Sequence, residues 1–182
     1  MHGFTLLELL VALFVIVLLT SLATLNVGSG GADQRLQAQL QQLQSVVQYA
    51  ADEAQMSGRD YGLLLQLVDV EGESVVRYGW RERRPEGWRE VDSVNTVFSD
   101  QNFPSEVNVI LQLDDDIDAP LTVIDDPVAA APQVITYASG EVVAGALAIQ
   151  RRSDNSLLWR LQWDLLGRSQ LLVRGETASE DE

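Results

Sequence analysis

Cysteine and lysine are both absent from this 182-residue chain, and histidine occurs once, as His2. Without cysteine there is no disulfide, no thiol nucleophile and no Cys-ligated zinc, although the redox compartment stays open. Without lysine, all 12 basic residues are arginine, and against 27 acidic ones they leave a formal charge of −15. A surface of that sign repels phosphate and argues against nucleic acid as a partner. Catalytic signatures are also missing: the chain has no Gly-x-Ser-x-Gly, no Walker loop and no His-Glu-x-x-His. The lone His2 has no neighbours with which to bind a metal or act as a base. No catalytic residue, metal or cofactor is therefore expected. With 46% hydrophobic and 21% charged residues, the composition fits one folded domain rather than a disordered chain.

The hydrophobic residues are unevenly spread. Phe4 to Leu25 reads FTLLELLVALFVIVLLTSLATL and carries a single formal charge, Glu8. At about 1.5 Å per residue this segment spans a hydrocarbon core of roughly 30 Å, so 4–25 is expected to be a membrane helix. A secretory signal peptide is the rival reading. It needs a basic region before the apolar stretch and a small-x-small cleavage site after it, and neither is clear here. A soluble core helix would have a polar face, which this run lacks. Glu8 needs its own account, because a carboxylate inside a membrane helix costs about 2.5–3.5 kcal/mol. Either it lies near enough to the helix end to reach the headgroups or be protonated, or a cation meets it in the same low-dielectric layer.

Residues Gly3-Phe4-Thr5-Leu6-Leu7-Glu8, at the head of that apolar run, resemble the processing site of type IV pilins and type II secretion pseudopilins. The resemblance implies that a prepilin peptidase cuts between Gly3 and Phe4, leaving 1–3 as the leader. It further implies that Phe4 becomes the N-methylated mature N-terminus, and that Glu8 pairs with the amino terminus of a neighbouring subunit. Two features depart from the family pattern. Only His2 precedes the glycine where a Lys or Arg is usual, and Asn26, Gly28, Gly30 and Gly31 stand where many pilins place a proline. Glycine-rich sequence softens a helix, so a break is expected at 26–32.

From Asp33 to Gly58 the pattern is helical again. Leu36, Leu40, Leu43, Val47, Ala50 and Ala54 form one narrow apolar stripe among glutamines, so 33–58 is expected as an amphipathic helix on the chain's own sheet. Asp33 suits its start and Gly58 its C-terminal cap. A coiled coil is the alternative, but the stripe thins to alanines.

The remainder, 59–175, reads as a β head. Tyr61–Val68 and Val75–Trp80, around Glu71-Gly72-Glu73, predict a hairpin. Further strands are expected at 107–113, 121–124, 134–138, 144–150, 157–165 and 169–173, separated by Pro104, Pro120, Pro127 and Pro132. Trp159, Leu161, Trp163 and Leu165 alternate with Arg160, Gln162 and Asp164, giving an apolar face and a wet one. The fold class is therefore α+β, a long N-terminal helix on an antiparallel sheet. The acidic stretch 176–182 is expected to be a disordered tail.

The segment Pro132–Leu172, with Ser139-Gly140-Glu141 and Gly167, is similar to the C-terminal half of the GspH family, the minor pseudopilins H of type II secretion. Leu43–Leu65 is similar to that family's passage from helix to strand. The resemblance implies a structural subunit near the tip of a periplasmic pseudopilus, anchored in the inner membrane with its head in the periplasm. It implies partners among the GspG, GspI, GspJ and GspK-like pseudopilins, the prepilin peptidase and the inner-membrane assembly platform. A minor type IV pilin resembling FimT or FimU is the runner-up, and a tethered module that never polymerises is a third reading.

Two charged features remain. Trp80, Arg81, Arg83, Arg84 and Trp88 form a basic and aromatic patch, expected to face a partner or else to serve cross-strand pairing. Residues 114–118 hold four aspartates whose hard oxygens suit Ca²⁺, but the loop lacks the EF-hand glycine and glutamate and reads as a solvated acidic loop.

Overall fold

A helix whose two ends have different surroundings leads the chain. In the computed structural model the described residues are 6–91, 96–113 and 117–174, with side chains described for all of them except 7–9, 18–30 and 117. The helix, α1, runs from Leu6 to Ser57. The chain divides into two compact units between Gln39 and Leu40.

In the first unit, every described side chain from Leu10 to Val17 is exposed, Phe14 by 63% and Ile16 by 58%. Apolar residues therefore cover the full circumference of those two turns. Residues 26–32, where a break was expected, are helical. Each glycine costs about 1 kcal/mol relative to alanine, but it keeps its N–H, so the ladder loses no hydrogen bond as it would at a proline.

In the second unit the helix buries its stripe. Leu40, Leu43, Val47, Ala50 and Ala54 are all at most 5% exposed, and so is Leu36 at the end of the first unit. The helix ends at Gly58, whose φ of +66° is the left-handed cap that glycine adopts at low cost. The strands are β1 (Tyr61–Val70), β2 (Glu73–Arg84), β3 (Gly87–Glu90), β4 (Gln101–Asn102), β5 (Val107–Leu113), β6 (Ile117–Ala119), β7 (Val134–Thr136), β8 (Gly145–Arg151), β9 (Leu157–Trp163) and β10 (Ser169–Val173). A 3₁₀ turn covers Thr96–Phe98. The first sheet has the order β3-β2-β1-β7, with β4 also on β2, and the second has β10-β9-β8-β5-β6. All pairs are antiparallel. Glu71 and Gly72, both at positive φ, make the two-residue turn between β1 and β2.

The free edge of β1 is closed in an unusual way. β7 pairs with it only from Tyr61 to Leu63. Continuing the register would bring Pro132, which has no N–H, opposite Leu65, so the strand stops. The side-chain amide of Gln133 takes over: its Oε1 accepts from Leu65 N at 2.9 Å and its Nε2 donates to Leu65 O at 2.8 Å. One step further, Leu67 N donates to Thr122 O at 3.0 Å. That is the only backbone bond of this kind between 121–124 and β1 among the described residues, and the strand expected there is a coil. The short β3, β4 and β6 were not anticipated. Each is four residues or fewer, too short to carry a period. Leu165, expected on the apolar face, is 63% exposed because β9 ends two residues earlier, at Trp163.

Replacing Gln133 by alanine should strip both backbone groups of Leu65 of their partners. The expected loss is about 1–3 kcal/mol in urea unfolding, together with faster exchange of the Leu65 amide. Unchanged exchange at Leu65 would show that the amide does not act as a strand.

Candidate assembly surface

Gly3 and Phe4 lie outside the described residues. Glu8 sits on the first turns of α1, with its side chain also outside that set. Counted over the described side chains alone, no helix is long and apolar enough to cross a membrane. The sequence run Phe4–Leu25 extends over the residues beyond that count. Asp114–Asp116 and the tail 176–182 are likewise outside the described residues. Asp118 is in β6, where its Oδ1 accepts from Gln112 Nε2 at 2.9 Å. Among the described residues no group of three acidic or histidine side chains is placed to hold a metal.

Of the two expectations for the basic and aromatic patch, facing a partner or serving cross-strand pairing, the second describes where most of it lies. It lies on β2 and β3, whose register sets Arg83 opposite Trp88 and Arg81 opposite Glu90. Trp80 is 3% exposed, Arg81 1% and Trp88 7%, so these three are part of the core. The reason is that β2 is flanked by strands along both edges and covered on both faces, which buries consecutive residues rather than alternate ones. Arg81 is held by two carbonyls, donating from Nε to Pro127 O at 2.9 Å and from Nη1 to Trp80 O at 2.8 Å. The carboxylates of Glu90 and Asp100 stand 3.5 and 3.8 Å from its guanidinium. On the other face of the sheet, buried Glu82 is met by Arg59 at 3.5 Å and by Arg84. Only Arg83 and Arg84 keep accessible surface, and Arg83 lies 5.4 Å over the Trp88 ring.

Aromatic contacts fasten the C-terminal part of α1 to the first sheet. Phe98, from the 3₁₀ turn, stands 5.5 Å from Tyr49 of the helix, 5.6 Å from Tyr61 of β1 and 5.6 Å from Trp80 of β2. Burial pushes the Tyr61 hydroxyl above its ordinary value of 10.0, outweighing the hydrogen bond with Ser57 that lowers it. The turn after β7, the turn between β9 and β10, and the start of β10 also approach α1. Gln44 Nε2 donates to Ser169 O at 2.9 Å. A side chain built on Gly140 would meet Gln55 at 3.1 Å, and one on Gly167 would meet Ala51 at 3.8 Å. Gly167 also has a φ of +72°, so it satisfies both the turn and the close approach.

That turn is closed by one carboxylate. Asp164 Oδ1 accepts from Leu166 N at 2.9 Å and Arg168 N at 3.0 Å, while Oδ2 accepts from Arg168 Nε at 2.7 Å. The Arg168 side chain is the main cause that holds the Asp164 carboxyl below the usual 3.8. A depressed folded value means that the contribution is present above the unfolded value and lost as pH falls through the folded one. Protection of the Leu166 amide relative to its intrinsic exchange rate should therefore fall only below about pH 4, and an Asp164→Ala variant should remove that dependence. For the buried arginine, Arg81→Ala should lower stability by about 3 kcal/mol. Arg83→Ala should cost less than about 1 kcal/mol, both read by urea unfolding. Equal losses would contradict the different burial of the two side chains.

Known proteins bear directly on this arrangement. A family profile described as the prokaryotic N-terminal methylation motif matches residues 1–24. Type II secretion system protein H of Pseudomonas aeruginosa is 35% identical over 65 residues, which is 36% of this chain and 38% of that protein. Among solved structures, the minor pseudopilin EpsH from the type II secretion system of Vibrio cholerae superposes with a TM-score of 0.60 at 20% identity, over 79% of this chain and 99% of that one. A crystal structure of the same minor pseudopilin gives 0.59 at 21%, over 78% and 95%. The solution structure of E. coli GspH gives 0.56 at 15%, over 80% and 93%. At these identities the likeness shows the fold: α+β, with antiparallel sheets and an N-terminal helix. Because the profile of the type II transport protein GspH matches residues 39–167, well over half of its length, the chain belongs to the GspH family.

Proposed function

We propose that this chain is a minor pseudopilin of type II secretion, a structural subunit near the tip of the periplasmic pseudopilus that supports export of folded proteins. The observation that carries the reading is the order of two matches along one chain, the methylation motif over 1–24 followed by the GspH profile over 39–167. In this reading the prepilin peptidase removes Met1–Gly3, and Phe4 becomes the N-methylated terminus. The segment 4–25 holds the protein in the inner membrane, with the head in the periplasm. Other pseudopilins of the GspG, GspI, GspJ and GspK kind, and the inner-membrane assembly platform, are the partners. The work is recognition and packing rather than catalysis.

The exposed apolar turns Leu10–Val17 support this reading physically. Lipid covers them before assembly and the helices of neighbouring subunits cover them afterwards. Glu8 then acts as a register element: a carboxylate within the membrane segment is tolerated once the amine of a neighbour's Phe4 meets it.

Two measurements test the proposal. Mass spectrometry of the protein from cells with an active peptidase should give a chain beginning at methylated Phe4, and a retained Met1–Gly3 would refute processing. Glu8→Ala should leave membrane insertion and processing intact, while filament incorporation and secretion fall by about tenfold or more, as expected for a lost charge pair of at least 1.4 kcal/mol. Normal secretion by that variant would remove Glu8 from assembly.

A further inference from the structure

A sheet can add strands only at its edges, and three of the four edge strands here are short: β3 has four residues, and β6 and β7 have three each. The fourth, β10, is the longest at five, and its sequence Ser169-Gln170-Leu171-Leu172-Val173 holds neither a proline nor a charge. Those are the usual devices against pairing along an edge. The register of β10 with β9, together with the bonds from Asp164 N to Arg168 O and from Arg174 N to Leu158 O, turns the backbone groups of Gln170 and Leu172 toward β9 and those of Ser169, Leu171 and Val173 outward. Gln44 Nε2 of α1 takes Ser169 O. Among the described residues, the outward N–H and C=O groups of Leu171 and Val173 have no partner.

The residue after β10 begins a turn. Arg174 has a φ of +51°, in the left-handed region that an arginine enters at a cost and that a tight hairpin turn requires. The same four-residue pattern occurs once before in the chain. Val70-Glu71-Gly72-Glu73 turns β1 into β2, with Glu71 at +55°, Gly72 at +86° and Val70 opposite Glu73. Val173-Arg174-Gly175-Glu176 repeats it with arginine in the second place. We propose that residues 176–179, which lie outside the described set, fold back through the Arg174-Gly175 turn, pair antiparallel with β10 and cap its edge. The register follows from the turn: Glu176 faces Val173, Thr177 faces Leu172 and Ala178 faces Leu171, so residues 176 and 178 exchange backbone bonds with the two outward-facing residues. The pairing stops before Ser169, whose carbonyl Gln44 already holds. The composition of 176–182 by itself predicts disorder, but a two-residue turn holds the segment beside β10 at a high effective concentration. Glu180, Asp181 and Glu182 then add like charge next to the capped edge and discourage a further strand. The cap belongs to the head alone and does not depend on the subunit reading above.

Amide hydrogen exchange of the full-length chain in detergent micelles, read by NMR at single residues, tests the cap. The Leu171 and Val173 amides are expected to exchange on the order of tenfold more slowly than in a chain ending at Arg174, the effect of a backbone bond of about 1.4 kcal/mol. A178P removes the N–H that faces Leu171 O and should release both amides as truncation does. T177P alters an N–H that points away from β10 and should leave them protected. Both proline variants keep the length and charge of the tail, so their contrast reads the register rather than the composition. Equal exchange at Leu171 and Val173 in the full and shortened chains overturns the proposal, and so does an equal response to the two prolines. The shortened chain should also self-associate more than the full one in light scattering, because its edge is open. Equal association would overturn the guarding role of the cap.

Discussion

Apolar helix surface that its own chain leaves uncovered is the constraint from which the rest follows. Leu10 to Val17 present apolar side chains around two full turns, and each such side chain exposed to water carries about 1.5–3 kcal/mol of unrealised burial. Seven residues of this kind, all but Ala12 of the eight, make an isolated, water-exposed state unfavourable by an amount comparable with the stability of a whole domain. Lipid or other helices have to supply the missing cover. In the reading proposed above, lipid supplies that cover before assembly and the helices of neighbouring subunits supply it afterwards.

The head is organised differently, around strands whose polar groups are satisfied from within. Arg81 is almost wholly buried, yet it holds two carbonyls and faces two carboxylates. Glu82, on the opposite face of β2, is neutralised by Arg59 and Arg84. The Gln133 amide completes the edge of β1 where Pro132 prevents a backbone partner. These devices have one effect in common. Among the described residues they leave no buried charge or exposed β1 edge without a partner, so that this part of the head is closed from within.

In the reading proposed above, cohesion comes from apolar helices in a low-dielectric layer, with Glu8 as the register element that meets a neighbour's amine. The closed head then leaves that helix surface as the main place for association.

Periodicity and turn chemistry made a large part of this legible from the sequence. The stripe Leu36, Leu40, Leu43, Val47, Ala50 and Ala54 is buried as its spacing implies. The ends of β5 and β10 fall where the runs 107–113 and 169–173 placed them. Long apolar patterns are read well because burial on one side imposes a period. The role of Trp80, Arg81 and Trp88 was not legible, because β2 is enclosed on both faces and both edges, and the enclosing residues Phe98, Asp100 and Pro127 come from later in the chain. Nor was the end of β9 visible in a run that keeps alternating to Leu165. That end depends on Asp164 folding back onto Arg168. What the amino-acid order determined by itself was the uncovered helix, its solitary acid and the class of the fold, since these follow from local spacing and burial energy. Which arginine is buried, which edge is plugged and which leucines stay outside were decided only by tertiary contacts, because each depends on residues brought together from distant parts of the chain.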